Sequence, residues 1–211
     1  MMCPNRRRIA ATLLALAALL APALAGCAPN GAAVGDTQST TASPAHDSVQ
    51  GARITVGIIG TAQDSETERQ TDSAIATALT DYGMAAVYTS LQDVADPDTV
   101  ARQAIADYIH RHVHAVMLCN LTLTDANRDM WTTSLTDLRN AGIAVVLVAP
   151  TDTPSDPDLY AAVLTVGDSS GAMPISTAID DVVRDYPHER DLTVTTDPDK
   201  NTKLNGYASA D

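Results

Sequence analysis

The chain has 211 residues and a formal charge of −13. An acidic surface of that kind repels phosphate backbones and anionic headgroups, which excludes nucleic acid as a partner and membrane binding through surface charge. With no Phe, one Trp and six Tyr, the core must be aliphatic. The first residues follow a recognisable order. Arg6, Arg7 and Arg8 form a basic patch, and an apolar run of Leu and Ala extends from Ile9 to Ala21. Small residues follow it. That order predicts a secretion signal. The run is shorter than the roughly 20 residues that a membrane span needs.

Leu24-Ala25-Gly26-Cys27 then closes the signal. It resembles the lipobox of bacterial lipoproteins. The resemblance implies cleavage before Cys27, acylation of its thiol, and a second acylation at the new amino end. Several acyl chains anchor stably where a single chain holds only marginally. Ala23-Leu24-Ala25 also fits an ordinary A-x-A-like cleavage site, so simple secretion with an incidental Cys27 is the alternative. Once the signal is removed, Cys119 is the one thiol left for the folded part, and an internal disulfide is impossible. It sits in an apolar run and reads as a small core residue. The organisation expected is a signal peptide over 1–26 and a flexible tether over 27–52. The tether is rich in Ala, Gly, Ser, Thr and Pro and has no apolar period. As a random coil of about 25 residues it would span on the order of 25–30 Å.

Strands and helices alternate from Arg53 onward. Ile54 to Ile59 reads as a buried strand ending at Gly60. Ser65 to Tyr82 reads as a helix with Ile75, Ala78, Leu79 and Tyr82 on one face and Gly83 as its stop. Met84 to Tyr88 is a second strand. Asp96-Pro97 opens a second helix, with proline where a missing N–H costs nothing. Val100, Ile105, Tyr108 and Ile109 supply its inner face. Ala115 to Cys119 is a third strand. Thr124 or Asp125 is expected to cap a third helix running to Asn140. Ile143 to Ala149 and Ala161 to Val166 are further strands. Ser169 to Tyr186 is expected to be helical, with Pro174 in its first turn or at a kink. Leu192 to Thr195 is a last strand. Several strands are apolar on both faces, which predicts an α/β fold: a parallel sheet with helices on both faces. Ligands in such sheets lie beyond the carboxyl ends of the strands. The loops to watch are therefore Gly60–Asp64, Asn120–Thr124, Pro150–Asp156 and Gly167–Gly171.

Ile54-Thr55-Val56-Gly57-Ile58 is followed by Asp81-Tyr82-Gly83-Met84 and His114-Ala115-Val116-Met117-Leu118-Cys119-Asn120. Asn140-Ala141-Gly142-Ile143-Ala144-Val145-Val146 and Val166-Gly167-Asp168 come next. In this order they resemble the type I periplasmic sugar-binding proteins and the related effector domains of LacI-type repressors. The likeness covers about Ile54 to Tyr207. It implies a nearly complete N-terminal lobe over 53–168 and the beginning of a second lobe over 169–211. Lys203-Leu204-Asn205-Gly206-Tyr207 resembles the start of a helix in that second lobe. The function implied is capture of a small polar solute of sugar type for an ABC permease, with no catalysis and no cofactor. Asn120 matches the family's polar position after the third strand, and its amide can both donate to and accept from a hydroxyl. Gln63 and Asp152 lie on neighbouring loops and join it as candidate ligand-binding residues. Turn or cap roles are the alternative for Asn120 and Asp152. Gly60-Thr61-Ala62-Gln63-Asp64 lacks the family's ring-stacking aromatics, and Ala149-Pro150 stands where an Asp-Arg pair is common. Other readings of the chain are a single-lobe protein-interaction module and a truncated, inactive solute-binding protein.

Three further patterns are weaker. Gly167-Asp168-Ser169-Ser170-Gly171 fits a nucleophile elbow, but His188 follows too closely to return from a later strand, so a helix-capping turn is expected. His110, His112 and His114 lack accompanying ligands with zinc spacing, and metal is not expected. Asp197, Asp199 and Asn201 open like a calcium loop, yet Thr202 replaces the turn glycine and Ala208 the bidentate glutamate. The sequence has no phosphate-cradling glycine loop.

Overall fold

The computed structural model describes residues 53–63, 65–197 and 199. Cys27, the expected signal and tether, and the segment Lys203–Tyr207 lie outside the described residues. The first strand, β1, spans Thr55–Ile59 and leads to helix α1, Glu66–Tyr82. Strand β2 is Ala85–Thr89, helix α2 Pro97–His110 and strand β3 Ala115–Cys119. Helix α3, Arg128–Asn140, precedes β4, Ala144–Val148. A short 3-10 turn at Pro157–Leu159 leads to β5, Ala162–Val166. The series ends with β6, Met173–Pro174, α4, Ile175–Val183, and β7, Asp191–Thr195.

The strands form one seven-stranded sheet in the order β2-β1-β3-β4-β5-β7-β6, with every pairing parallel. Alternation along the strands fills both faces. Val56 and Ile58 of β1, Met117 of β3 and Val146 of β4 pack with Ile75 and Leu79 of α1 and Ile179 of α4. Val116, Leu118, Val145 and Leu147 point the other way, onto Ile105 and Tyr108 of α2 and Leu135 and Leu138 of α3. A parallel sheet needs this double cover, and it explains why these strands read as unbroken apolar runs. The expected α/β architecture is therefore present. Among the described residues no helix is long and apolar enough to cross a membrane.

Helix ends mostly follow local chemistry. Ser65 caps α1 by accepting from the Glu68 N–H at 3.4 Å. Asp96 caps α2 through the Thr99 N–H at 3.1 Å. Gly83 ends α1 in the left-handed region, at φ 104°, where its N–H reaches the Thr80 carbonyl and the Met84 N–H returns to Leu79. A side chain there opposes the turn, so Gly83→Ala is expected to cost about 1 kcal/mol. An unchanged midpoint in urea unfolding would contradict this.

Two helix expectations need correction. Helix α3 begins at Arg128, not at Thr124 or Asp125. Thr124 and Asn127 instead close a separate turn. The Thr124 N–H donates to Asn127 Oδ1 at 2.7 Å and the Asn127 N–H to Thr124 Oγ1 at 3.3 Å. The last helix runs over Ile175–Val183, not from Ser169 to Tyr186. Ser169 to Ala172 form a turn, and Pro174 stands just before the helix with ψ 133°, in extended backbone paired to β7. Asp185, at φ 54°, turns the chain away before Tyr186. The expected boundary at 168/169 does not divide the sheet. Strand β7 pairs with β5 from Val163↔Asp191 to Val166↔Val194, and α4 packs on the face that α1 covers.

Candidate binding cleft

The strand order places a reversal between β1 and β3. The connection after β1 leads through α1 to β2, while β3 leads through α3 to β4 on the other side. Because α1 and α3 cover opposite faces, the two loops part and leave a crevice beyond the strand ends. A cleft of about 220 Å³ opens there. Its floor is apolar, formed by Ile59, Leu91, Leu118, Leu121 and Trp131. Polar groups from Gln63, Asn120, Thr122 and Asn127 stand around it.

Gln63 and Asn120, expected on separate loops, thus meet at one cleft. Asn120 ends β3 in the left-handed region at φ 53°, a conformation that asparagine tolerates better than most residues. Its N–H donates to the Val148 carbonyl at 2.8 Å, which fixes the loop while the side chain stays half-buried. The side-chain amides of Gln63 and Asn120 make no hydrogen bond among the described residues, so both can serve a ligand. Asp152 does not line the cleft. It is exposed, accepts from the Thr153 N–H at 2.9 Å, and lies 3.8 Å from the Arg128 guanidinium.

Asp98 was not singled out in the sequence. It sits in the first turn of α2 and lines the cleft. Its carboxylate accepts from Trp131 Nε1 at 3.2 Å and from Asn127 Nδ2 at 3.2 Å. Asn127 Nδ2 also reaches the Thr122 carbonyl at 3.1 Å. One carboxylate thereby ties α2 to α3 and holds Trp131 in the floor. No local motif reveals it, because the partners lie far along the chain.

A second unexpected group sits behind the cleft. Asp72 of α1 is only 1% exposed. Its Oδ2 accepts from the Thr61 N–H at 2.7 Å, and the Tyr88 hydroxyl lies 3.4 Å away. Burial pushes the Asp72 carboxyl above the usual carboxylate range, and the Thr61 bond only partly offsets it. Burial also raises the neighbouring Cys119 thiol well above its ordinary value and pushes the Tyr88 phenol up to about 12. Cys119 is 5% exposed and packs in the core, as its apolar run implies. The sequence did carry a signal for Asp72. It lies three residues before Ile75 and seven before Leu79, on the apolar stripe of the helix.

The remaining candidates have structural surroundings. His114 Nδ1 accepts from the Thr55 N–H at 3.0 Å, His112 occupies a turn at φ 53°, and His110 lies in the last turn of α2. Among the described residues no three metal-ligating side chains converge. Asp168 Oδ1 accepts from the Thr195 hydroxyl at 2.9 Å, and the Ser169 carbonyl from the Ala172 N–H at 3.0 Å, so this loop is a turn beside β7. Asp197 Oδ1 accepts from the Asp199 N–H at 3.0 Å, while Asn201, Thr202 and Ala208 lie outside the described residues.

Fold and site together define a doubly wound parallel α/β domain with an open cleft at its strand-order reversal. No protein-family model matches the sequence, and no curated protein matches it. Among solved structures, it is similar to the periplasmic binding protein of the arabinose ABC transporter from Shewanella sp. ANA-3, bound to L-arabinofuranose. The identity is 16% over 67% of this chain and 55% of that one, with a TM-score of 0.43. A Mycobacterium smegmatis protein in complex with beta-D-fucofuranose aligns at 15% identity over 67% and 54%, with a TM-score of 0.41. A pilus assembly-related protein from Burkholderia pseudomallei aligns at 15% over 65% and 94%, with a TM-score of 0.40. The chain spans about half the length of the two sugar-bound structures. The fold assignment rests on the sheet itself.

Proposed function

We propose that this protein is an extracytoplasmic solute-binding protein, tethered to a membrane by acylation at Cys27, that takes up a small polar solute of sugar type for an ABC permease. The observation that carries the binding role is the cleft between the β1 and β3 loops, where the amides of Gln63 and Asn120 stand unused above an apolar floor. A sugar offers matching surfaces: hydroxyls for the amides and an apolar C–H face for the floor. Secretion and anchoring are supported by the Arg6–Arg8 patch, the apolar run and the residues before Cys27. The permease role rests on the sequence resemblance alone.

Trp131 is the sole tryptophan of the chain and lies in the cleft floor, which gives a direct readout. Titration with L-arabinose, D-fucose and a panel of pentoses and hexoses is expected to change its fluorescence saturably. A bound sugar at 100 times its dissociation constant should add about 2.7 kcal/mol of stability in parallel melts. Asn120→Gly, which keeps the left-handed backbone at φ 53° and removes the half-buried amide, is expected to weaken binding at least several-fold with little effect on the unliganded melt. If no sugar alters either signal, the sugar-binding reading fails. Mass spectrometry of the mature amino terminus tests the anchor, which an unmodified Cys27 would rule out.

A further inference from the structure

We propose that Asp72 is a proton-operated latch on the β1–α1 loop, holding residues 60–63 against the sheet when protonated and loosening them when ionised. This concerns regulation of the cleft and rests on the reading of that cleft as a binding site. The two oxygens of the carboxyl differ. Oδ2 accepts from the Thr61 N–H at 2.7 Å, with the Tyr88 hydroxyl 3.4 Å away. Oδ1 is buried and meets no hydrogen-bond partner among the described residues.

Thr61 transmits the state of that carboxyl to the cleft. It is fully buried, and its Oγ1 donates to Glu68 Oε2 at 3.2 Å while accepting from the Gln63 N–H at 3.1 Å. The peptide gripped by Asp72 thus leads directly to the amide at the cleft rim. Close packing reinforces the grip: a Cβ on Gly60 would lie 3.0 Å from Asp72 Oδ2.

The titratable groups that face Asp72 come from three elements: Glu68 from α1, Tyr88 from β2 and Cys119 from β3. None of them supplies a positive charge; the Cys119 thiol and the Tyr88 hydroxyl favour the ionised carboxyl as donors, the charge of Glu68 opposes it, and burial outweighs them all. A carboxylate buried without a facing cation is costly. The Thr61 bond by itself favours the ionised carboxyl, but burial outweighs it, so a proton on Asp72 lets the carboxyl stay enclosed with Oδ2 still accepting from Thr61. Ionisation instead calls for water, and the loop that carries the exposed Ala62 and Gln63 is the outward cover. Burial raises the Asp72 carboxyl above its usual range. The native state then holds this proton more tightly than the unfolded chain. The group's contribution to stability is complete below the unfolded value and falls away as pH rises through the native one.

The test is a pH titration of the full 15N-labelled chain by NMR, following the Thr61 and Gln63 amides. Both should shift with a common midpoint above the ordinary Asp value of about 3.9 and broaden on the alkaline side. Glu68→Gln should move that midpoint to lower pH. Asp72→Asn should abolish the titration. A midpoint at or below the ordinary value, or one that Glu68→Gln leaves in place, would overturn the latch. So would persistence of the same titration in Asp72→Asn. Should Asp72→Asn fail to fold, the Glu68→Gln comparison still decides. These readouts need no ligand, so a cleft that binds no sugar would remove the site reading and leave the titration to stand or fall separately.

Discussion

Trp131→Ala is expected to cost about 4 kcal/mol, the largest loss among the substitutions considered, because it empties an aromatic site in the core. Trp131 is 4% exposed and packs with Leu135 and Leu138 beneath the cleft. Its removal acts twice. The floor loses its widest surface, and Asp98 loses the indole N–H that reaches it at 3.2 Å. Trp131→Phe separates the two effects. It keeps most of the packing and drops the N–H, for an expected cost of about 1 kcal/mol. Urea unfolding followed by circular dichroism measures both. A loss below that of the Phe variant for Trp131→Ala would show that this side chain does not fill the core.

Gly57→Ala should be nearly as damaging, at about 3 kcal/mol. Gly57 lies in the middle of β1, and a Cβ there would stand 2.5 Å from Cδ2 and 2.6 Å from Cε2 of the Tyr108 ring. The ring has little freedom to retreat. Tyr108 is 1% exposed, and its hydroxyl lies 3.0 Å from the Ile58 carbonyl, 2.9 Å from that of Val87 and 2.8 Å from Thr89 Oγ1. Displacing it would strand a buried hydroxyl as well as strain the strand. Tyr108 thus joins α2 to β1 and β2 through one side chain. A Gly57→Ala variant that melts within a degree of the parent would disprove this close approach.

Strands declared themselves in the sequence because both faces of a parallel sheet demand apolar residues. Ala115–Cys119 was bounded correctly to the residue, since all five positions are buried. Loops at the carboxyl ends were legible for the same reason, whereas Asn120 came from the family resemblance and Gln63 from its place on a neighbouring loop. What local pattern conceals is pairing at a distance. Asp98 reaches Asn127 and Trp131, and Asp72 reaches Thr61 and Tyr88, through packing that no short window contains. Helix ends failed where side chains had competing partners. Asn127 is drawn to Thr124, Thr122 and Asp98, so a separate turn forms before α3. Strand β6 was invisible because two residues, one of them proline, carry no strand signature.

That short strand matters for crowded conditions. Among the described residues, β2 closes one side of the sheet and β6 the other. Pro174 has no amide hydrogen to offer an incoming chain, and two residues give little length for templating. Among the described residues, Ala85–Thr89 is therefore the longer edge on which a further strand could pair.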